Sequence, residues 1–316
     1  MEVNKIHNIN FLDNTLPDKC ANLIIADPPY FEVKGDFDFI WKSFDDYLKD
    51  VEKWAKECKR LLADNGTLFW YGHAKNIAYA QVIFDKHFNL INNLVWDKGS
   101  FMGLEESEGL RSFAPCTERI LMYSVGDDYH DNVRLSIKYI QDYLSTITTR
   151  NELAEILLKN GNCRNAESAK QNANNILSQR SAKPQMITEY QYNLIPNIDK
   201  KKYETLRNEY EELRRPFSNQ FKLQEVLKFP NEATKTGTKY DHDTVKPETL
   251  TRALILTCSR PNDLVVVPFA GSGTECAMSV KDGRKFIGFE IEEKFAKMSN
   301  DRVQNILRQP SLFVGS

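Results

Sequence analysis

The stretch Ala21-Asn22-Leu23-Ile24-Ile25-Ala26-Asp27-Pro28-Pro29-Tyr30 decides how this chain is read. A short apolar run, 21–26, has the length of a buried strand, and it stops abruptly in a rigid turn. A second strand of the same kind, Leu264-Val265-Val266-Val267, runs into Phe269-Ala270-Gly271-Ser272-Gly273-Thr274. Each strand ends in a turn able to hold a ligand. Together they read as the chemistry half and the cofactor half of one site.

Working outward, Phe44 to Leu62 repeats apolar residues every three or four positions and predicts a helix ended by Asn65-Gly66. Thr67 to Tyr71 follows as a strand, Ile77 to His87 as a helix, and Ile91 to Trp96 and Glu118 to Tyr123 as strands. After 134 the strand signals stop until about 229. Helices are expected at Thr149 to Lys159, Ala166 to Gln179 and Tyr203 to Arg215. The first two flank Asn160-Gly161-Asn162 and read either as a helix-turn-helix or as a plain α-hairpin. Alternation then resumes with a helix from Lys246-Pro247 to Leu256, the strand 264–267, a helix from Thr274, a strand from Phe286 to Phe289 and a helix from Glu292 to Leu307. The expectation is an α/β fold with a mostly parallel sheet, helices on both faces and a helical insert. Its divisions are 1–130, 131–240 and 241–316, with the first and third parts completing one sheet.

Composition is that of a soluble globular chain: 316 residues, 41% hydrophobic and 27% charged. No apolar run reaches the roughly 20 residues needed to span a bilayer. The N-terminus lacks the layout of a signal peptide, and the six cysteines form no CxxC pair. A cytoplasmic location without disulfides or zinc is therefore expected. The histidines His7, His73, His87 and His130 have no ligand-like spacing, so no metal is expected. Net charge is −2, but residues 134–240 hold 18 Lys and Arg against 12 Asp and Glu. That asymmetry suits either a polyanion-facing part or a solvated helical face.

The two turns carry the chemistry. Gly271 and Gly273 let backbone approach a ligand closely at the carboxyl edge of a parallel sheet. Glu290, just after the strand 286–289, can accept hydrogen bonds from both ribose hydroxyls. This pattern points to a nucleoside-type cofactor; its spacing does not separate a dinucleotide from S-adenosylmethionine, although the third glycine of GxGxxG is missing. In the other turn, Pro28 and Pro29 remove two backbone donors. With the Asp27 carboxylate they leave acceptors suited to the two N–H bonds of an exocyclic amine, and Tyr30 offers a flat face to a base.

With these residues in hand, the chain resembles the amino-methyltransferases of DNA that use S-adenosylmethionine, in the circularly permuted β group, where the DPPY segment precedes the FxGxG segment. Leu16-Pro17-Asp18, Trp96-Asp97-Lys98, Thr117-Glu118 and His242-Asp243-Thr244-Val245-Lys246-Pro247 extend the likeness in family order. The resemblance implies a Rossmann-like methyltransferase fold over 7–125 and 241–305. It implies Asp27, Pro28, Pro29 and Tyr30 at the reacting amine. Phe269, Ala270, Gly271, Ser272, Gly273, Thr274, Glu290, Asp243, Thr244 and Lys246 are implied at the cofactor. The chain departs from the family at Val267, where an Asp is usual near the cofactor's methionine end, and at Asp243, where Pro is usual. Asp243 is expected to take over part of the missing carboxylate's role. Near residues 8–10, where an acid is usual, the chain has Asn8 or Asn10 in its place.

The implied partner is double-stranded DNA, with adenine N6 as the methyl acceptor, because DPPY typifies adenine enzymes. A homodimer and a cognate restriction enzyme are compatible with the family. In the insert, Arg150, Arg164, Lys170, Arg180 and Lys183 are the candidate phosphate contacts. Cytosine-N4 methylation, RNA adenine methylation and a DNA-binding subunit with a degenerate cofactor site are the alternative readings.

Overall fold

The strand 21–26 lies inside the main sheet of a computed structural model that describes residues 1–33, 38–99, 111, 113, 115–126, 131–230 and 245–308. In chain order the elements are β1 (Lys5–His7), β2 (Ala21–Ala26), α1 (Phe44–Leu61), β3 (Leu62–Gly72), α2 (Ile77–Phe84), β4 (Asn89–Asp97) and β5 (Thr117–Ser124). Then come α3 (Asp131–Ser145), α4 (Arg150–Lys159), α5 (Ala166–Leu177), α6 (Glu189–Asn193), α7 (Lys202–Leu213) and β6 (Val226–Lys228). The chain closes with α8 (Glu248–Cys258), β7 (Leu264–Val267), α9 (Thr274–Lys281), β8 (Lys285–Phe289) and α10 (Glu293–Arg308).

Eight strands form one sheet in the order β1-β8-β7-β2-β3-β5-β4-β6. All pairings are parallel except those of β5, which runs against both β3 and β4. Period-two alternation sorts the strand residues onto two faces. Ile24, Ala26, Leu68 and Trp70 pack against Val51, Trp54, Ala55 and Cys58 of α1 and Phe84 of α2. Leu23, Ile25, Phe69 and Tyr71 join the opposite core with Leu250 and Leu254 of α8, Ala277 of α9 and Val303 of α10. The structure thus has the mostly parallel sheet, covered on both faces, that the sequence predicts.

Local details differ where pattern reading is blind. Ser43 caps α1 through the Asp46 amide, and Lys59 and Arg60 in its last turn suit the helix dipole. That helix ends at Leu61, before Asn65-Gly66, because Leu62 already pairs with Ala21. Leu23 then pairs with Thr67, so 63–66 form an irregularity inside β3 instead of a helix terminator. The three-residue β6 gave no sequence signal. It adds to β4 through Val95, Trp96 and Asp97.

Two compact units result, one of residues 1–125 and 216–316 and the other of 126–215. The second boundary therefore falls at 215, where the sequence placed it at 240; Leu223, Leu227 and Phe229 pack with the sheet. Within the smaller unit, Leu153 and Leu157 of α4, Ala169, Ala173 and Ile176 of α5, and Leu206 of α7 share a core of their own. Thr149 and Glu152 form a capping box on α4, and Asn165 and Ser168 form one on α5. No helix among the described residues is long and apolar enough to cross a membrane.

Candidate active site

β2 and β7 are neighbours in the sheet, Leu23 beside Val265 and Ile24 beside Val266, so their carboxyl ends open at the same edge. A cavity of about 520 Å³ lies there. Its walls include Asp27, Pro28, Pro29 and Tyr30 from one turn, and Phe269, Ala270, Gly271 and Ser272 from the other. Glu290, Lys246 and Glu275 line it too. That volume suits a small-molecule ligand, for which roughly 300–1,000 Å³ is usual.

Side-chain ions hold the first turn. Asp27 accepts a short hydrogen bond from the Tyr30 hydroxyl, and its other oxygen lies 2.8 Å from Lys246 Nζ. Lys246 also reaches Glu118 at 3.2 Å and the Tyr30 hydroxyl at 3.3 Å, and Lys98 closes on the far oxygen of Glu118. The network is deeply buried, with Lys246 5% and Glu118 2% exposed. Burial pushes the Lys246 ammonium down, but Asp27 and Glu118 outweigh it and hold the ammonium above the usual lysine range. Burial, and then the charges of Asp27 and Glu118, push the Tyr30 phenol well above its ordinary value. Tyr30 is therefore a neutral donor to Asp27. Just beyond it, Phe31 and Glu32 sit in the left-handed region at φ 56° and 51°, costly for residues with a Cβ. The buried Asn76 amide secures that bend by donating to the Tyr30 and Phe31 carbonyls, while the Tyr30 amide donates to Asp38 at 2.6 Å.

Backbone holds the second turn. Gly273 has φ 72° and caps α9; a Cβ there would stand 2.7 Å from the Ser299 Cβ, so any other residue would strain the turn and push Ser299 aside. The Gly271 amide donates to Glu290 at 2.8 Å, and the Glu292 amide to the other Glu290 oxygen at 2.9 Å. Burial raises the Glu290 carboxyl against these backbone bonds. Each Glu290 oxygen keeps a lone pair for a further donor. Ser299 donates to the Gly271 carbonyl, and Arg302 donates to the Ser272 carbonyl at 3.0 Å and to Thr274 Oγ1 at 2.9 Å.

The structure thus brings most of the sequence-predicted residues to one cavity, with three differences of place. Gly273 and Thr274 shape the turn from behind and are not among the cavity's lining residues. Lys246, grouped with the cofactor residues on sequence, is bonded to Asp27. Tyr30 is 5% exposed, and its hydroxyl orients Asp27. Asp243 and Thr244 lie outside the described residues. Asn10 lines the cavity, whereas Asn8 donates to the Glu290 and Ile291 carbonyls. Arg150, Arg164, Lys170, Arg180 and Lys183 are all exposed in the smaller unit, Arg150 reaching Asn174 at 3.4 Å.

Sequence reasoning missed Asn76 and Glu275. Asn76 looks like an ordinary helix cap, and its two carbonyl partners are 45 and 46 residues away. Glu275 looks like a first-turn acid favoured by the helix dipole. Among the described residues, no group of three or more His, Cys, Asp or Glu could hold a metal.

Comparison with known proteins bears on this geometry. A family model described as DNA methylase, of the N6 and N4 class, matches residues 21–301. The type II methyltransferase M1.MboII of Moraxella bovis is 27% identical over 309 residues, covering 95% of this chain and 96% of that protein. The DNA adenine methyltransferase YhdJ of Escherichia coli is 26% identical over 293 residues, covering 91% and 78%. Among solved structures, a Thermus thermophilus protein complexed with S-adenosyl-L-methionine superposes with a TM-score of 0.53 at 16% identity, over 96% of this chain and 95% of that one.

Proposed function

The chain belongs to this DNA methylase family, and we propose that it moves a methyl group from S-adenosylmethionine to the N6 amino group of an adenine turned out of duplex DNA. Membership makes it a DNA methyltransferase of the N6-adenine or N4-cytosine class that depends on S-adenosylmethionine. Adenine is the finer reading. One observation carries it: Asp27 at the head of Asp-Pro-Pro-Tyr faces the same cavity as Phe269 to Ser272 and Glu290.

The residues present fit the cofactor. A 520 Å³ cavity is large enough, Glu290 retains lone pairs toward it, and the Gly271-Ser272-Gly273 turn brings backbone to its wall. Glu290 would take the ribose hydroxyls, and Phe269 and Ile291, which line the same cavity, would give it an apolar wall. When bound, S-adenosylmethionine supplies a methyl group on sulfur with a built-in leaving group. Every other task falls to the chain. Asp27 and the Pro28 carbonyl accept the two N–H bonds of the target amine and keep electron density on its nitrogen. Lys246 and the Tyr30 hydroxyl fix the Asp27 carboxylate before the base arrives, so little reorganisation is left for the reaction. In-line placement of nitrogen and methyl supplies the remainder. Turning the base out of the stack costs a few kcal/mol, which contacts in the pocket repay.

The exposed basic residues of the smaller unit would meet phosphates and position the duplex. The test is transfer of labelled methyl to unmethylated duplex DNA, followed by digestion to nucleosides. Label in N6-methyldeoxyadenosine is expected. Label in N4-methyldeoxycytidine would overturn the base assignment, an outcome the family's scope keeps in play.

A further inference from the structure

Val267 stands where an acid is usual in this family, yet the cavity is not short of carboxylates. Val267 is 1% exposed and packs in the core on the α8–α10 face of the sheet. On that same side, Glu275 rises from the first turn of α9 to the cavity wall. It is 5% exposed, and its Oε1 has no hydrogen-bond partner among the described residues. An orphaned carboxylate oxygen is costly in a protein interior and calls for an explanation.

Charge matching around the site gives one. Asp27 and Glu118 are matched by Lys246 and Lys98. Arg302, nearest to the second turn, is bonded to Glu248 at 2.7 Å. Glu290 has no cation either but is held by two backbone amides, whereas Glu275 Oε1 has no hydrogen-bond partner among the described residues. Burial and then the charge of Asp27 raise the Glu275 pKa to about 7, against the opposing pull of Lys246 and Arg302. A group in this state gains by meeting a cation, and the cavity it lines is the one assigned to a ligand whose methionine portion carries both a sulfonium and an ammonium.

We propose that Glu275 is the counter-charge for the cationic methionine portion of the cofactor and stands in for the acid absent at Val267. The inference rests on the reading of this cavity as the S-adenosylmethionine site. It differs from the expectation for Asp243, because the compensating acid comes from the helix that follows the glycine turn. Charge and geometry agree: the helix N-terminus steadies the carboxylate while it is unmatched, and the bound cation completes the pairing.

The test compares two probes on the full chain by equilibrium dialysis, without DNA. S-adenosylmethionine carries the cations; methylthioadenosine keeps the adenosine and sulfur but lacks the amino-acid arm and is neutral. Glu275→Gln should weaken S-adenosylmethionine at least tenfold and leave methylthioadenosine within twofold. Adding Val267→Asp to that variant should restore part of the loss. Equal weakening of both probes would make Glu275 a structural residue, and unchanged affinity for both would remove its role; either overturns the proposal. In both cases binding by the wild-type chain still supports the cofactor reading. A wild-type chain that binds neither probe would overturn that reading and the proposal together.

Discussion

The turn after β2 and the turn after β7 lie side by side and are built on opposite principles. Prolines and buried ions make the first: Asp27, Lys246, Glu118, Lys98 and the Tyr30 hydroxyl form a closed, neutralised set. Glycines and backbone amides make the second, and beside it Glu275 Oε1 has no partner among the described residues. The difference teaches how the labour divides. A turn that polarises an amine must hold its acceptors fixed before the substrate comes. A turn that takes a cationic ligand can leave one charge for the ligand to complete.

The largest effect should come from breaking the first turn. Asp27→Ala should cut methyl transfer by about 10²–10³-fold, an acceptor loss comparable to removing a preorganised oxyanion donor. Single-turnover transfer with labelled cofactor measures it, and retained turnover would remove Asp27 from the chemistry. Next comes the ion that matches it. Lys246→Met leaves Asp27 without its cation in a buried site and should destabilise the fold by about 3–5 kcal/mol. Urea denaturation checks this; unchanged stability would mean that the network does not hold the turn.

A smaller effect separates the two turns by pH. With its pKa raised from 4.5 to about 7, Glu275 stabilises the free protein fully below the unfolded value, and that contribution is lost as pH rises through 7. Cofactor binding has the opposite sign, because the ionised carboxylate is the form that meets a cation. Affinity should therefore fall by up to about tenfold per unit as pH drops below 7, and Glu275→Gln should abolish the slope. Among the described residues Asp27, Lys246, Arg302, Tyr71 and Cys276 are the charged and titratable groups around Glu275, and all remain in that variant. A slope that persists in Glu275→Gln would show that Glu275 is not the group whose ionisation the cofactor reads.

Much of this was legible in the sequence, because periodicity and turn chemistry are local. The strands 21–26 and 264–267, and the helices on either side of them, follow from apolar spacing and from Pro and Gly at their ends. The glycine turn and Glu290 are legible for the same reason: 19 residues separate Gly271 from Glu290, with one predicted helix and one strand between. What joins distant segments was not legible. Lys246 meets Glu118 across 128 positions, and Asn76 meets Tyr30 across 46. No local pattern marks either pair. Three residues at β6 are too few to show a period, and Asn65-Gly66 misled because its signature is the same inside a strand irregularity as after a helix. Glu275 illustrates the general limit. A first-turn acid is common on solvated helices, and only burial without a partner distinguishes it.

The division of labour is tested most directly by measuring cofactor affinity and transfer at saturating cofactor on the same two variants, Asp27→Ala and Gly273→Ala. The left-handed backbone at Gly273 should cost an alanine about 1–2 kcal/mol before any crowding of Ser299. A crossed result is expected. Asp27→Ala keeps its affinity and loses transfer, while Gly273→Ala loses affinity and recovers transfer once cofactor is saturating. If both variants lost both properties in parallel, the two turns would not be separable halves of one site, and the account would be contradicted.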